Sequence, residues 1–177
     1  MKIAVTGAGG FVGKNLLEKL KEENHEILSI TRETSKEETS AMLLEADFIF
    51  HLAGVNRPER EEEFFEGNSG LTGEIIKILK DNKKTTPLLI SSSIQAELDN
   101  PYGKSKKKAE EEVFSYGKET GARVYVYRLP NVFGKWCRAN YNSAIATFCH
   151  NIARDEEVWV SDPSKEMNLV YIDDVVR

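Results

Sequence analysis

VTGAGGFVG, residues 5–13, decides how the chain is read. A short β-branched apolar run stands ahead of it, and an amphipathic pattern of helical period follows. Gly7, Gly10 and Gly13 fall at that junction in the spacing G-x-x-G-x-x-G. Glycine tolerates the positive φ of a tight strand-to-helix turn and carries no Cβ to obstruct a pyrophosphate. The helix behind it would offer free N–H groups and the positive end of its dipole to that anion. A strand before and a helix after are the context a dinucleotide site requires. The alternative reading is an ordinary tight βα turn.

The pattern continues outward from the loop. Runs at 3–6, 26–30, 48–53, 88–91, 124–128 and 158–160 predict strands, and segments at 12–21, 38–44, 70–80, 102–120 and 143–154 predict helices. FIFHLA and LLIS are almost wholly apolar, as expected of strands buried on both faces of a parallel sheet. The alternation predicts βαβ units and a doubly wound, Rossmann-like α/β domain over residues 1–177, with helices on both faces of a parallel sheet. Near the end, LVYIDDVV reads as a strand entering a helix capped by Asp173 or Asp174. The sequence stops about one turn into that helix, so a longer parent protein is expected.

The 177 residues are 40% hydrophobic with a net charge of −5, which suits one globular domain. That charge argues against nucleic-acid or anionic-membrane partners. The basic run 104–108 leads into Glu110, Glu111 and Glu112, and Lys107/Glu111 and Lys108/Glu112 are i,i+4 neighbours. The run therefore reads as a solvated helix face. Cys137 and Cys149 are too few and too far apart for a zinc site or a disulfide framework, and no metal is expected. No apolar run reaches transmembrane length. The first strand begins too early to leave room for a signal peptide, so a cytoplasmic location is expected.

The acidic residue that usually grips the adenosine ribose belongs at the end of the second strand. Thr31 and Arg32 stand there instead. Arg32 either pairs with a 2′-phosphate, which favours NADP(H) over NAD(H), or is a solvated loop residue. Ser91, Ser92 and Ser93 end a strand where the carboxyl edge of a parallel sheet meets a cofactor crevice. They are either turn-forming residues or donors to a substrate carbonyl. Tyr102 and Lys106 follow, four apart on one helical face, and Ala109, Val113 and Tyr116 continue that stripe. On this reading Lys104, Lys107, Lys108 and the glutamates point outward. A lysine on the inward stripe needs a polar partner. Its ammonium would lower the tyrosine pKa from about 10 and let the phenol exchange a proton near neutral pH.

In order, TGAGGFVG, HLAG (51–54), SSS (91–93), Tyr102-x-x-x-Lys106 and RLPNVFG (128–134) resemble the extended short-chain dehydrogenase/reductase superfamily, of the NAD-dependent epimerase/dehydratase type. The likeness runs the length of the chain, and YIDDVV resembles a late motif of the group. It implies that Ser93 polarises a carbonyl, Tyr102 transfers a proton, and Lys106 holds the nicotinamide ribose and lowers the tyrosine pKa. The cofactor set it implies is Gly7, Gly10, Phe11, Val12, Gly13, Arg32, Leu52, Ala53, Ser91, Tyr102, Lys106, Pro130 and Asn131. Asn68 falls where the superfamily often has a helix asparagine that orders this network. Within the superfamily, HLAGVNRPE, DNPYGKSK and PNVFGKWCRANYNSAIATFCHNIAR resemble the reductase domains of bifunctional capsular-polysaccharide enzymes. That likeness implies NADPH-dependent reduction of the C4 ketone of a UDP-linked 4-keto-6-deoxy amino sugar. It also implies further reductase sequence and a cupin domain beyond Arg177, and a homo-oligomer in the full-length protein.

Departures from the superfamily pattern narrow the chemistry. Dehydratases of the group carry an acidic pair directly after the catalytic hydroxyl, where this chain has Ile94 and Gln95. Met167 takes the place of a phosphate-binding arginine, which leaves Asn142, Arg138 or a later segment to hold the diphosphate. Residues 34–46 lack the usual third strand and its adenine-contacting Asp. Arg57, Ser93 and Asn142 are the candidate substrate contacts. His51 reads as a buried structural histidine, and Trp136 and Cys137 as either substrate wall or core. A sugar-nucleotide 4-epimerase and a non-catalytic NADP-binding sensor share this scaffold and are the alternative functions.

Overall fold

The computed structural model describes all 177 residues. Its centre is a five-stranded parallel sheet built from β1 (Lys2–Thr6), β2 (Glu26–Ile30), β3 (Phe48–His51), β4 (Leu88–Ser93) and β5 (Val124–Leu129). The order across the sheet is β2-β1-β3-β4-β5, so the chain reverses direction of winding at β1, where the glycine loop emerges. Helices α1 (Phe11–Lys21), α2 (Lys36–Glu45), α4 (Leu71–Asp81) and α5 (Pro101–Thr120) make the crossovers. A short helix α3 (Glu62–Phe65) runs through a π-helical segment, Glu66–Gly70, straight into α4. Two further short strands, β6 (Asn131–Phe133) and β7 (Leu169–Tyr171), pair in parallel outside the main sheet. Helix α6 (Ala144–Ile152) lies between them in sequence, and α7 (Ile172–Val175) follows β7.

Alternation along the strands divides the apolar residues into two cores. Ala4, Ile30, Ile49, Leu88 and Ile90 face α2, α4 and α5, where they meet Leu43, Ile75, Leu79, Ala109, Val113 and Tyr116. Tyr116 is 1% exposed, and its hydroxyl donates to the Thr86 carbonyl at 2.9 Å, so the phenol tip is satisfied inside the core. Ile3 and Val5 point the other way, onto Ala8, Leu16 and Leu20 of the glycine loop and α1. Helix starts are specified locally. Ser35 and Glu38 form a reciprocal capping box on α2, and Asn100 caps α5 with Pro101 directly behind it.

Several expectations need correction. FIFHLA is not buried on both faces, because Phe48 and Phe50 are only half-buried and Tyr125 and Tyr127 are exposed beyond them. Helix α1 and Val176, just after α7, close that face over β1 and only partly cover Ile27 of β2 and Phe50 of β3. The strand β3 stops at His51 rather than at residue 53, since the Ala53 N–H donates to the Thr6 hydroxyl instead of a strand carbonyl. Residues 158–160 form no strand; Trp159 is 76% exposed with no ladder partner. The β-branched run predicted a strand, but strand propensity without a neighbouring edge does not make one. Neither Asp173 nor Asp174 caps α7: the cap position is Tyr171, and both acids lie in the first turn.

Candidate active site

The glycine loop leaves β1 at the point where the sheet order reverses, and Gly7 has φ +70°. A Cβ at Gly7 would stand 2.7 Å from the Ala53 nitrogen, so this turn requires glycine for both its conformation and its packing against the end of β3. A Cβ at Gly13 would lie 2.2 Å from the Gly7 carbonyl oxygen, and its absence lets α1 close against the loop. Gly10 occupies the α1 N-cap without any side-chain cap, leaving the first-turn N–H groups of Phe11, Val12 and Gly13 free of side-chain partners. An open glycine turn ahead of an uncapped helix fits a pyrophosphate. At the far end of the groove, β2 ends at Ile30, and Arg32 is exposed with no ion-pair partner. The chain then turns directly into α2, so the short 34–46 segment contains no extra strand.

Beside the loop, β3 and α4 are tied together by a buried hydrogen-bond chain. The Ala53 N–H donates to Thr6 Oγ1, which lies 2.7 Å from His51 Nδ1. His51 Nε2 lies 3.0 Å from Thr72 Oγ1, and the Thr72 hydroxyl donates to the Asn68 carbonyl. With its proton committed there, the Thr72 oxygen accepts from His51, which assigns the proton to Nε2 and makes Nδ1 the acceptor. Burial depresses the His51 pKa to about 3, helped by the Lys106 charge, so the ring is neutral and structural. Asn68, in the π segment, accepts from the Val55 N–H and donates to the Val55 carbonyl and the Ser105 hydroxyl. Ser105 in turn donates to the Tyr102 carbonyl at 2.7 Å. The chain therefore runs from the foot of the glycine loop to the first turn of α5.

Ser93, Tyr102 and Lys106 converge at the carboxyl edge of β4. Helix α5 can approach because Gly103 has no Cβ; one would lie 2.1 Å from the Gln95 carbonyl oxygen in the turn Ile94–Glu97. Phe64 of α3 packs on the Tyr102 ring with centroids 5.6 Å apart. Lys106 is 8% exposed, donates to the Ser91 carbonyl at 3.0 Å, and holds its Nζ 5.9 Å from the Tyr102 ring centroid. Burial lowers the Lys106 pKa to about 8, against an upward pull from Glu110. Burial also raises the Tyr102 pKa, and the Ser93 hydroxyl offsets only part of that rise. The expected lowering of the phenol by Lys106 is therefore not found: the ammonium is engaged by Ser91, and desolvation of the phenolate prevails. A cavity of about 10 Å³, near the lower limit for one water molecule, is enclosed between His51, Asn68, Thr72, Ser91 and Lys106.

The remaining candidates lie further out. Leu52 and Ala53 follow β3 beside Gly7, and the Leu52 N–H donates to the Thr6 carbonyl. Pro130 separates β5 from β6, and Asn131 is exposed, bonded through its backbone and side chain to the Asn168 carbonyl. The Arg57 guanidinium lies 5.7 Å from the centre of the Tyr141 ring, bringing the loop after β3 next to exposed Asn142. Cys137 lines an open hollow of about 410 Å³ with Phe133, Ile145, Cys149 and His150. Trp136 is 44% exposed and belongs to neither core. No group of three or more histidines, cysteines or acids is placed to hold a metal ion.

Sequence reasoning missed two kinds of residue here. Ser105 carries a weak signal, being three positions after Tyr102 on the same helix. Glu110 was expected on the solvated face with Glu111 and Glu112, yet it is 3% exposed, and Glu112 is half-buried with one oxygen unpartnered. The partners of Glu110, Ser92 and Arg128, come from strands β4 and β5, and no local pattern announces them.

Residues 3–177 match the NAD dependent epimerase/dehydratase family. The whole chain is 55% identical to a UDP-2-acetamido-2,6-beta-L-arabino-hexul-4-ose reductase from Pseudomonas aeruginosa, covering 48% of it. It is 50% identical to the capsular polysaccharide assembling protein CapF from Staphylococcus aureus, with a TM-score of 0.88 over 99% of this chain and 47% of that one. A UDP-glucuronic acid 4-epimerase from Bacillus cereus shares the fold at 19% identity and a TM-score of 0.85, over 99% of this chain and 71% of that one. The chain thus spans about half the length of the Pseudomonas aeruginosa and Staphylococcus aureus relatives. No helix is long and apolar enough to cross a membrane.

Proposed function

The chain belongs to the NAD dependent epimerase/dehydratase family, and from that membership we propose that it is the reductase portion of an enzyme acting on a UDP-linked 4-keto-6-deoxy-N-acetyl amino sugar in surface-polysaccharide synthesis. NADPH bound along the glycine loop would supply the hydride to the C4 ketone. The observation that carries the reading is the meeting of Ser93, Tyr102 and buried Lys106 at the edge of β4, beside that loop. The identity to a relative named as a reductase of such a sugar supports the choice of substrate class.

Each residue has a role its surroundings suit. Tyr102 donates a proton to the alkoxide developing at the C4 oxygen, and its raised pKa keeps the phenol loaded until that charge forms. Ser93 donates a hydrogen bond to the same oxygen, where charge accumulates. Lys106 holds the nicotinamide ribose and places positive charge behind the tyrosine. Pro130 and Asn131 border the nicotinamide, and Arg57 and Asn142 contact the sugar nucleotide. Ile94 and Gln95, directly after Ser93, cannot perform the acid–base work of a dehydration. Arg32, exposed and unpaired, is the candidate partner for the 2′-phosphate and favours NADPH.

The test is incubation of the protein with NADPH and a panel of UDP-linked 4-keto amino sugars, following loss of nicotinamide absorbance. Net consumption of NADPH with one of these sugars is expected. Conversion of a sugar without net consumption would assign a 4-epimerase instead, and binding of NADPH without conversion of any sugar would favour a sensor.

A further inference from the structure

Helix α5 buries a carboxylate in a place where an apolar residue would continue the core. Glu110 stands one helical turn after Lys106 and next to Ala109, yet it is 3% exposed. Its oxygens receive the Arg128 guanidinium through Nε at 2.9 and 3.2 Å and Nη2 at 2.7 Å, and the Ser92 hydroxyl donates to Oε1. Ser92 and Arg128 are direct register partners on β4 and β5. The remaining Arg128 arm, Nη1, reaches Glu97 in the turn after Ser93 at 2.6 Å. Consecutive residues of β4 therefore hold consecutive turns of α5: the Ser91 carbonyl takes Lys106 and the Ser92 hydroxyl takes Glu110. The pair is exposed on its Arg128 side, and such a pair contributes little net stability, so a packing role alone gives little reason for a carboxylate here.

We propose that Glu110 is a positioning residue for the Tyr102/Lys106 pair, clamped by Ser92 and Arg128 so that a buried negative charge is fixed one helical turn from Lys106. The role rests on the reading of Lys106 as the cation beside the proton-donating tyrosine. The groups around Lys106 are few. His51 on β3 is neutral, Tyr102 is protonated, and Asn68 and Thr72 on the α4 side carry no charge. Glu110 is then the one anion that opposes the burial of this lysine, and Arg128, beyond it on β5, is the cation that tempers that anion. Burial pushes the Glu110 carboxyl up, but the bonds from Arg128 and Ser92 and the nearby charges outweigh it, so the group is ionised at neutral pH.

A charge acting on Lys106 moves its titration, which separates this role from scaffolding. The experiment is a pH titration of the Lys106 side-chain nitrogen by ¹⁵N NMR in the cofactor-free chain, with the signal assigned through Lys106→Arg. In Glu110→Gln the midpoint falls by about one pH unit. In Glu110→Asp, which keeps the charge, the midpoint falls by less than in Glu110→Gln. An unchanged midpoint in Glu110→Gln, or an equal fall in Glu110→Asp, would overturn the proposal. If Glu110→Gln does not fold, Glu110→Ala decides alone: no fall in its midpoint overturns it. The alkaline limb of kcat/KM should follow the midpoint. A midpoint that moves as stated while the limb stays still would remove Lys106 from the chemistry and leave the electrostatic role of Glu110 intact.

Discussion

Burial holds the Tyr102 phenol protonated, and Phe64 holds its ring, so a variant can remove the proton without removing the packing. Tyr102→Phe is expected to lower turnover about a hundredfold to ten-thousandfold while NADPH still binds, measured by nicotinamide fluorescence. Near-normal turnover would take Tyr102 out of the proton path. Lys106 carries a cost in stability. Its pKa is 10.5 in the unfolded chain and about 8 when folded, so the unfolded state binds more protons between those values and stability rises with pH across that window. Lys106→Met should therefore stabilise the cofactor-free chain at neutral pH by up to about 3 kcal/mol, with the advantage shrinking above pH 8 in thermal melts. A less stable variant at neutral pH would show that the Ser91 bond outweighs desolvation. At the other end of the groove, the proposed pairing with a 2′-phosphate predicts that Arg32→Ala weakens NADPH binding about tenfold to a hundredfold more than NADH binding. An unchanged ratio of dissociation constants would assign the 2′-phosphate to another group.

Helix α5 delivers Tyr102 and Lys106 through the geometry of its first turn. Asn100 accepts from the Gly103 N–H at 2.7 Å, Pro101 preorganises the entry, and Gly103 lies against the carbonyls of Gln95 and Leu98. Those carbonyls are backbone and cannot rotate aside, so Gly103→Ala forces the helix off the β4 edge. A cost of about 1–3 kcal/mol is expected, together with a loss of turnover larger than the loss of NADPH affinity. Equal turnover and a normal melting temperature would mean that the edge can yield. The α3–α4 passage works in a similar way from the opposite side. Its π segment turns Asn68 inward, where it bonds to Val55 and Ser105, consistent with the common placement of π segments at functional sites.

The molecule as a whole is knit from β1 to α5 by one buried polar chain that depends on a neutral histidine. His51 has a folded pKa of about 3 against 6.5 when unfolded, so the unfolded chain takes up a proton that the native chain refuses. Its contribution is fully present above pH 6.5 and is lost as pH falls toward 3, at about 1.4 kcal/mol per pH unit. His51→Gln should be less stable at neutral pH but show a flatter decline through that range, in chemical denaturation at several pH values. Parallel declines for both proteins would place acid sensitivity elsewhere. The sheet itself is asymmetric, with one face closed by α2, α4 and α5 and the other closed over β1 and only partly over β2 and β3.

Local sequence settles a great deal in this chain. The glycine spacing marks the βα turn because Gly7 must adopt positive φ, and the Tyr102, Lys106, Ala109, Val113 and Tyr116 stripe appears because helical period is a property of neighbours in sequence. Ser35, Asn100 and Pro101 mark helix starts for the same reason. Local pattern misled where partners are remote. Residues 158–160 have strand propensity but no edge to join, and Phe48 and Phe50 are apolar without being fully covered. Glu110 looks like its neighbour Glu111 in every local respect. It is buried because Ser92 and Arg128 are brought to it by the pairing of β4 with β5, and the free energy of a charge depends on the groups that folding places around it. Hence the pair in DNPYGKSKKK could be found by counting residues, whereas the raised phenol, the Ser91 bond and the carboxylate behind the lysine follow from the packing of α5 on the sheet.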